Sequence, residues 1–356
     1  MKLRVAVLSF VITLLLTGCS WWLDGEYVSV KPHTDRTQQQ TVESITVSSY
    51  LELRAAIEEM VENGVQSRIL TVEEMERDSL DSYMETAARY VTQNNPVGAY
   101  AVMEITYEVG TSTGTTAVAV SVSYNHGKNE IQRIRRVKGA NEGKELVAKA
   151  LEQYETAIVL YIQDYADTDF AQAVQDYALL HPEAVMEIPQ VTVQIYPETG
   201  NDRVVDIRLT YQSSRESLRS MYGYVQPVFS SASLYVSGEG EARVKFAQLY
   251  SFLMERNTYT VETSITPAYS LLRHGVGDSR AFATVYAAMC RAAGLEAVTV
   301  TGTRAGEPWS WNIVCQDGVY YHVDLVQSHA SGGYRPMTDG EMSGYVWDYD
   351  AYPTCG

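Results

Sequence analysis

The residue types best suited to chemistry gather in the last third of the chain. Ser279 follows Gly277 and Asp278 and opens SRAFATVYAAMCRAAGLEAV, a run with helical periodicity. A serine hydroxyl attacks only when a base takes its proton. His322 and Asp324 stand two apart in YYHVDLV, and residues two apart on a strand project from one face. A set of Ser279, His322 and Asp324 is therefore one chemistry the sequence permits. His274, five residues before Ser279, is a second imidazole on the segment entering the same helix. Trp309 and Trp311 lie on the strand-like segment EPWSWNIV, so both indoles are expected on one wall of any cleft there. Cys290 sits in the apolar stripe AAMC and reads as a buried thiol, with Cys315 and Cys355 the other two thiols of this region. Their sequence positions permit a Cys355 bridge to Cys315 or to Cys290 without choosing between them. No Cys-x-x-Cys or close Cys/His spacing occurs, so neither a metal nor a cofactor is expected.

These residues need a scaffold, and the hydrophobic pattern supplies two small α+β modules before them. Residues 45–50 and 67–72 read as strands flanking a helix over 50–63, whose Leu53, Ile57, Met60 and Val61 share a face. A helix over 80–92 leads to a hairpin, with Val118, Val120, Val122 and Tyr124 alternating in its second strand. A similar order follows: a helix over 170–180, then the strand-like QVTVQIY and RVVDIRLTY joined by PETGND. This is a weak internal repeat of about 45 residues per copy, carried by element order. Between the copies, residues 141–164 read as one helix, with Leu146, Leu151, Tyr154, Ile158 and Ile162 on its apolar side. Nothing in residues 20–240 sets a nucleophile beside a base or forms a phosphate-binding loop.

The N-terminus carries an address. Lys2 and Arg4 precede an apolar run over residues 5–16, the length of a signal-peptide core and too short for a membrane span. Leu16-Thr17-Gly18-Cys19 follows and resembles the lipobox of bacterial lipoproteins, which implies cleavage after residue 18 and acylation of Cys19. The expected localisation is extracytoplasmic, with the mature chain held at the bacterial membrane by lipid on Cys19. Residues 19–42 then form the anchor and a polar tether. The formal charge is −17 and grows more negative once Lys2 and Arg4 are lost. Such a chain repels nucleic acid and anionic headgroups, so no nucleic-acid partner is expected.

The C-terminal motifs carry a second resemblance. Gly277-Asp278-Ser279-Arg280-Ala281-Phe282-Ala283, Ala293-Gly294-Leu295, Trp311-Asn312 and Tyr321-His322-Val323-Asp324 occur in the order of the bacterial transglutaminase-like domain, a papain-type fold. The resemblance implies a cysteine nucleophile at a helix start, a histidine base on a later strand and an aspartate that orients it. Here Ser279 stands at the cysteine position and Trp309 at the histidine position, and only Asp324 of the triad is retained. An indole N–H donates and cannot accept a proton. The chain thus reads as α+β: 43–140 one module, 141–238 a second, and 239–356 a degenerate transglutaminase-like domain. The resemblance implies a binding or structural role at the cell surface, with Trp309, Trp311 and Asp324 as binding residues and a peptide, protein or peptidoglycan ligand. The competing reading is an acyl transferase or peptidase using Ser279 with His322 and Asp324.

Overall fold

A computed structural model describes residues 44–356 apart from Thr113 and Glu239. The expected signal peptide, Cys19 and the tether lie outside the described residues. No helix among the described residues is long and apolar enough to cross a membrane.

The first module starts with strand β1 (Ser44–Val47), helix α1 (Tyr50–Glu62) and strand β2 (Ser67–Val72). Ser49 caps α1 through its side chain, and Leu53, Ile57, Met60 and Val61 are buried, as their spacing predicts. Helices α2 (Arg77–Gln93) and α3 (Pro96–Ala101) follow, then the hairpin strands β3 (Val102–Ser112) and β4 (Thr115–Tyr124). The sheet order is β1-β2-β4-β3, with β1 and β2 parallel and the other pairs antiparallel.

The second module corrects the sequence reading. Residues 141–164 are not one helix: α4 (Gly139–Glu152) ends, Tyr154 takes a left-handed φ of 53°, and β6 (Ala157–Gln163) follows. Ile158, Leu160 and Ile162 are buried at alternate positions, a period of two that overrides the helical spacing of Tyr154, Ile158 and Ile162. A further strand, β5 (Arg135–Lys138), pairs in parallel with β6, so the second sheet begins before the expected boundary at 141. Helix α5 (Phe170–Leu180) and strands β7 (Gln190–Tyr196) and β8 (Arg203–Thr210) complete it in the order β5-β6-β8-β7. The two modules therefore share one topology, β-α-β-α-β-β, over a longer span than the 45 residues per copy visible in sequence.

The C-terminal domain is built around one buried helix, α8 (Ser279–Ala292). Helices α6 (Arg215–Ser230) and α7 (Ala242–Met254) pack beside it. Because Leu218, Val225 and Phe229 of α6 join the same apolar cluster as Phe282 and Tyr286, this domain gathers chain from well before residue 239. Strands β11 (Ala297–Arg304), β12 (Glu307–Gln316), β13 (Val319–Val323) and β14 (Tyr345–Val346) form an antiparallel sheet ordered β13-β12-β11-β14. Phe282, Val285, Tyr286 and Met289 are fully buried, with Phe282, Val285 and Met289 each adding roughly 1.5–3 kcal/mol of transfer free energy. The small residues between them, Ala281, Ala283, Ala287 and Ala288, let the helix lie close to its neighbours. Asn312 of β12 clamps helix to sheet, donating from Nδ2 to the carbonyls of Ala283 at 2.8 Å and Val298 at 3.2 Å.

Candidate functional site

The site forms where the N-terminus of α8 meets the open end of β12. Asp278 caps the helix, accepting from the Ala281 N–H at 2.8 Å, and so sets Ser279 at the first helical position. The chain enters through a short parallel bridge of β9 (Thr258–Tyr259) with β10 (Val276–Gly277), which brings Tyr259 beside the helix start. Gly277 is required there, since a Cβ would come within 2.9 Å of the Ala281 Cβ. Ser279 is nearly buried, and its Oγ accepts from the Ser310 N–H at 3.2 Å. Among the described residues the Ser279 hydroxyl donates no hydrogen bond.

Trp309 makes the decisive contact. Its Nε1–H donates to Asp324 Oδ2 at 2.6 Å. Asp324 is buried, receives a second bond on Oδ2 from the Tyr345 hydroxyl at 2.8 Å, and takes the Gln327 N–H on Oδ1 at 3.0 Å as the cap of helix α9 (Leu325–Ala330). Three donors satisfy this carboxylate, and none is an imidazole. The indole thus supplies the N–H that a histidine would direct at the aspartate, but carries no second ring nitrogen to accept a proton. Tyr259 lies 5.5 Å from the Trp309 ring, and the Arg304 guanidinium sits 5.5 Å from its centroid. Burial, followed by the charges of Asp278 and Asp324, raises the Tyr259 phenol above its ordinary range.

Ser279 and Trp309 both line a cavity of about 340 Å3 together with Tyr259, Arg280 and Pro308. The space beside the helix start is therefore open although Trp309 is half-buried. Trp311 is a correction. It was expected on the same cleft wall, and it does share a face of β12 with Trp309, but it is fully buried under Met337, Met342 and Trp347. The C-terminal segment covers that face from residue 311 onward, leaving only the Trp309 end free. Gly302 makes room for it: a Cβ there would lie 3.0 Å from the Trp311 ring and 2.2 Å from the Val346 carbonyl oxygen.

His322 belongs to this second, buried cluster and not to Ser279. Its Nδ1 accepts from Trp311 Nε1–H at 2.9 Å, and its Nε2 lies 2.8 Å from Asp339 Oδ1. Because the indole can only donate, Nδ1 is unprotonated and Nε2–H donates to Asp339, which fixes a neutral tautomer. Asp339 Oδ2 in turn accepts from the Cys355 N–H at 3.1 Å, and the Asp339 N–H donates to the Cys355 carbonyl at 2.9 Å. The tail is pinned through this backbone pair, and Cys290, Cys315 and Cys355 are all free thiols, so neither considered disulfide forms. Burial and then Asp339 push the Cys355 thiol up to about 12. His322, Asp339 and Cys355 lie within 4.8 Å of one another, but a metal on Nε2 would require a proton on Nδ1 and the loss of the Trp311 bond. His274 is exposed, edge-on to Tyr269 at 5.3 Å, and does not line the cavity.

Residues 232–332 match the core of the transglutaminase-like superfamily, so this part of the chain is a transglutaminase-like domain. Among solved structures, a candidate cysteine protease from Cytophaga hutchinsonii is 12% identical, with 44% of this chain and 70% of that chain covered at a TM-score of 0.27. A TGase is also 12% identical, covering 64% of this chain and 68% of its own at 0.27. A candidate protease from Parabacteroides distasonis is 9% identical, covering 72% and 39% at 0.24. No curated protein matches the chain at a significant level.

Sequence reasoning missed Tyr345, Tyr259 and Arg304. The aromatic-rich tail was the available signal for Tyr345, whereas nothing in the local pattern marks Tyr259 or Arg304.

Two outcomes follow. Ser279→Cys alone should leave the new thiol slow to alkylate at neutral pH. Pairing it with Trp309→His should raise the iodoacetamide rate by about tenfold or more over that of the single variant, since a neighbouring imidazolium stabilises thiolate. Equal rates for the single and double variants would contradict the assigned geometry. Separately, burial holds the His322 imidazole below its ordinary pKa, only partly opposed by Asp339. Its folded pKa lies below its unfolded one, so its contribution is present above about pH 6.5 and is lost as pH falls through the folded value. Urea midpoints measured from about pH 7.5 down to 5.5 should decline, and His322→Gln should flatten that part of the profile. An unchanged slope in the variant would reject the neutral His322.

Proposed function

We propose that this protein is a non-catalytic, lipid-anchored protein of the bacterial cell surface whose transglutaminase-like domain binds a peptide or cell-wall ligand. The observation that carries the reading is the 2.6 Å bond from Trp309 Nε1 to Asp324. The base position is occupied by a group that cannot accept a proton, and its one polar atom is committed to the carboxylate. Ser279 is left with an N–H partner and no base. Acyl transfer or peptide hydrolysis through Ser279, His322 and Asp324 is disfavoured because His322 spends both ring nitrogens on Trp311 and Asp339.

Binding is supported by the open cavity beside Ser279, with Tyr259 and Trp309 exposing aromatic surface to it. Aromatic rings at a half-exposed site bury a large area at low entropic cost and suit the faces of peptides and sugars. Anchoring is supported by Leu16-Thr17-Gly18-Cys19 after an apolar run. Transglutaminase-like chemistry acts on peptides, and the ligand class is assigned by that analogy of fold.

Purified protein should neither incorporate an amine into a glutamine donor nor hydrolyse peptides above background, while soluble peptidoglycan fragments or peptides should perturb its tryptophan fluorescence. Trp309→Ala should weaken that binding by about 2 kcal/mol or more, as expected for a central aromatic anchor. Turnover that vanishes in Ser279→Ala would overturn the proposal, and binding unaffected by Trp309→Ala would remove the cavity from it. For the anchor, cells fed a labelled fatty acid should label the protein, and Cys19→Ala should abolish the label. Persistence of label in that variant would refute lipidation at Cys19.

A further inference from the structure

The first two modules meet around a cavity of about 600 Å3, remote in sequence from the transglutaminase-like site. Four arginines line it: Arg133 and Arg135 before and at the start of β5, Arg208 on β8, and Arg215 at the first turn of α6. In a chain of net charge −17 this is a concentration of the minority charge.

Two of the four are held in place by acids. Arg135 Nη2 donates to both carboxylate oxygens of Glu155, at 3.3 and 3.1 Å. Arg208 donates from Nε and Nη2 to Asp206 Oδ2, at 3.1 and 2.7 Å, and the Asp206 side chain is only 4% exposed. These bonds fix the direction of each guanidinium and leave other N–H groups uncommitted, as five donors fan out from each fork. Arg215 is fixed differently, donating from Nε to the Gln153 carbonyl at 2.9 Å, and has no carboxylate partner among the described residues. The Arg133 side chain makes no hydrogen bond or ion pair among the described residues.

The remaining acid of the cavity, Glu130, is turned to its own helix start, accepting from the Gly127 N–H at 3.0 Å and lying 3.3 Å from His126. Set against Glu130, Glu155 and Asp206, the four guanidiniums leave an excess of positive charge. The buried Tyr100 of α3 also lines the cavity, its phenol pushed up to about 12 by burial and then by Asp206. Residues 157–159 of β6 also line it where they run past the start of β5, whose first paired residue is Arg135 opposite Leu160. Arg133, Arg208 and Arg215 are exposed and Arg135 is half-buried, so their forks can reach a ligand in the concavity. Guanidinium forks match the oxygens of phosphoryl and carboxylate groups, often two bonds at a time.

We propose that this inter-module cavity binds a compact anion bearing several acidic oxygens, phosphoryl groups or clustered carboxylates, through Arg133, Arg135, Arg208 and Arg215. The volume suits a small molecule or the anionic head of a larger one. The overall negative charge of the protein does not oppose this at the site, because charges beyond about one Debye length are screened at physiological salt while the four guanidiniums are in contact. The proposal does not depend on what the transglutaminase-like domain does.

The test is calorimetric titration of the full chain in detergent with inorganic pyrophosphate and, separately, with citrate. At least one should bind with a Kd below about 1 mM, and the probe that binds distinguishes phosphoryl from carboxylate recognition. Arg133→Gln combined with Arg215→Gln should weaken that binding at least about tenfold, the scale expected from losing charge-assisted bonds, with the ligand-free melting temperature unchanged. Arg89→Gln, which removes one positive charge, as Arg133→Gln alone does, but from an exposed position on α2, should change Kd less than about twofold. If the double variant fails to fold, Arg133→Gln alone carries the test, because that side chain holds nothing else in place. Absence of binding by both probes up to about 10 mM, retained affinity in the variants, or equal weakening by Arg89→Gln would overturn the proposal.

Discussion

A single hydrogen bond, from the Trp309 indole to the Asp324 carboxylate, organises the C-terminal domain. Asp324 is buried and ionisable, and a buried carboxylate is tolerated only when donors surround it. One donor comes from the helix it caps, one from Tyr345 on the last strand, and one from Trp309 on β12. The carboxylate therefore joins three separated segments of chain. A tryptophan at this position meets the carboxylate's need for a donor and offers it no acceptor. The aspartate needs a donor at that point, and nothing else in the fold calls for an acceptor on the far side of the ring.

The second buried polar cluster follows the same rule. Trp311, His322, Asp339 and the Cys355 backbone form a chain of bonds in which every donor meets an acceptor. It ties the C-terminal tail to the sheet face and, by doing so, covers Trp311 and leaves Trp309 at the open edge. Two indoles on one strand face thus serve opposite ends, one sealed in a core and one beside a cavity. Alternation along a strand decides which side a residue faces, but the covering segment decides whether that side meets water.

That distinction separates what was legible in the sequence from what was not. The α+β class, the transglutaminase-like framework and the helices over Tyr50–Glu62 and Phe170–Leu180 are written in local periodicity and ordered motifs. Residues 141–164 misled because Ile158 and Ile162 fit both a period of two and a helical face, and only the chain reversal at Tyr154 resolves them. Missing β6 also hid the shared topology of the two modules, since the parallel pair β5-β6 could not be seen without it. At the site, Ser279, Trp309 and Asp324 were readable from motif position; Trp309 bonds Asp324 and lines one cavity with Ser279. His322 was ambiguous because its partner Asp339 and its cover, Trp347, come from the tail, at distances in sequence no local pattern encodes.

The Trp309 indole proton is held by Asp324, and nuclear magnetic resonance reads that proton directly. In a proton–nitrogen correlation spectrum, the indole signal that disappears in Trp309→Phe should lie well downfield of a free indole and exchange slowly with solvent. It should move upfield in Asp324→Asn, because a neutral amide is a weaker acceptor than a carboxylate. A Trp309 signal at the free-indole position, exchanging as an exposed side chain does and unmoved by Asp324→Asn, would contradict the account.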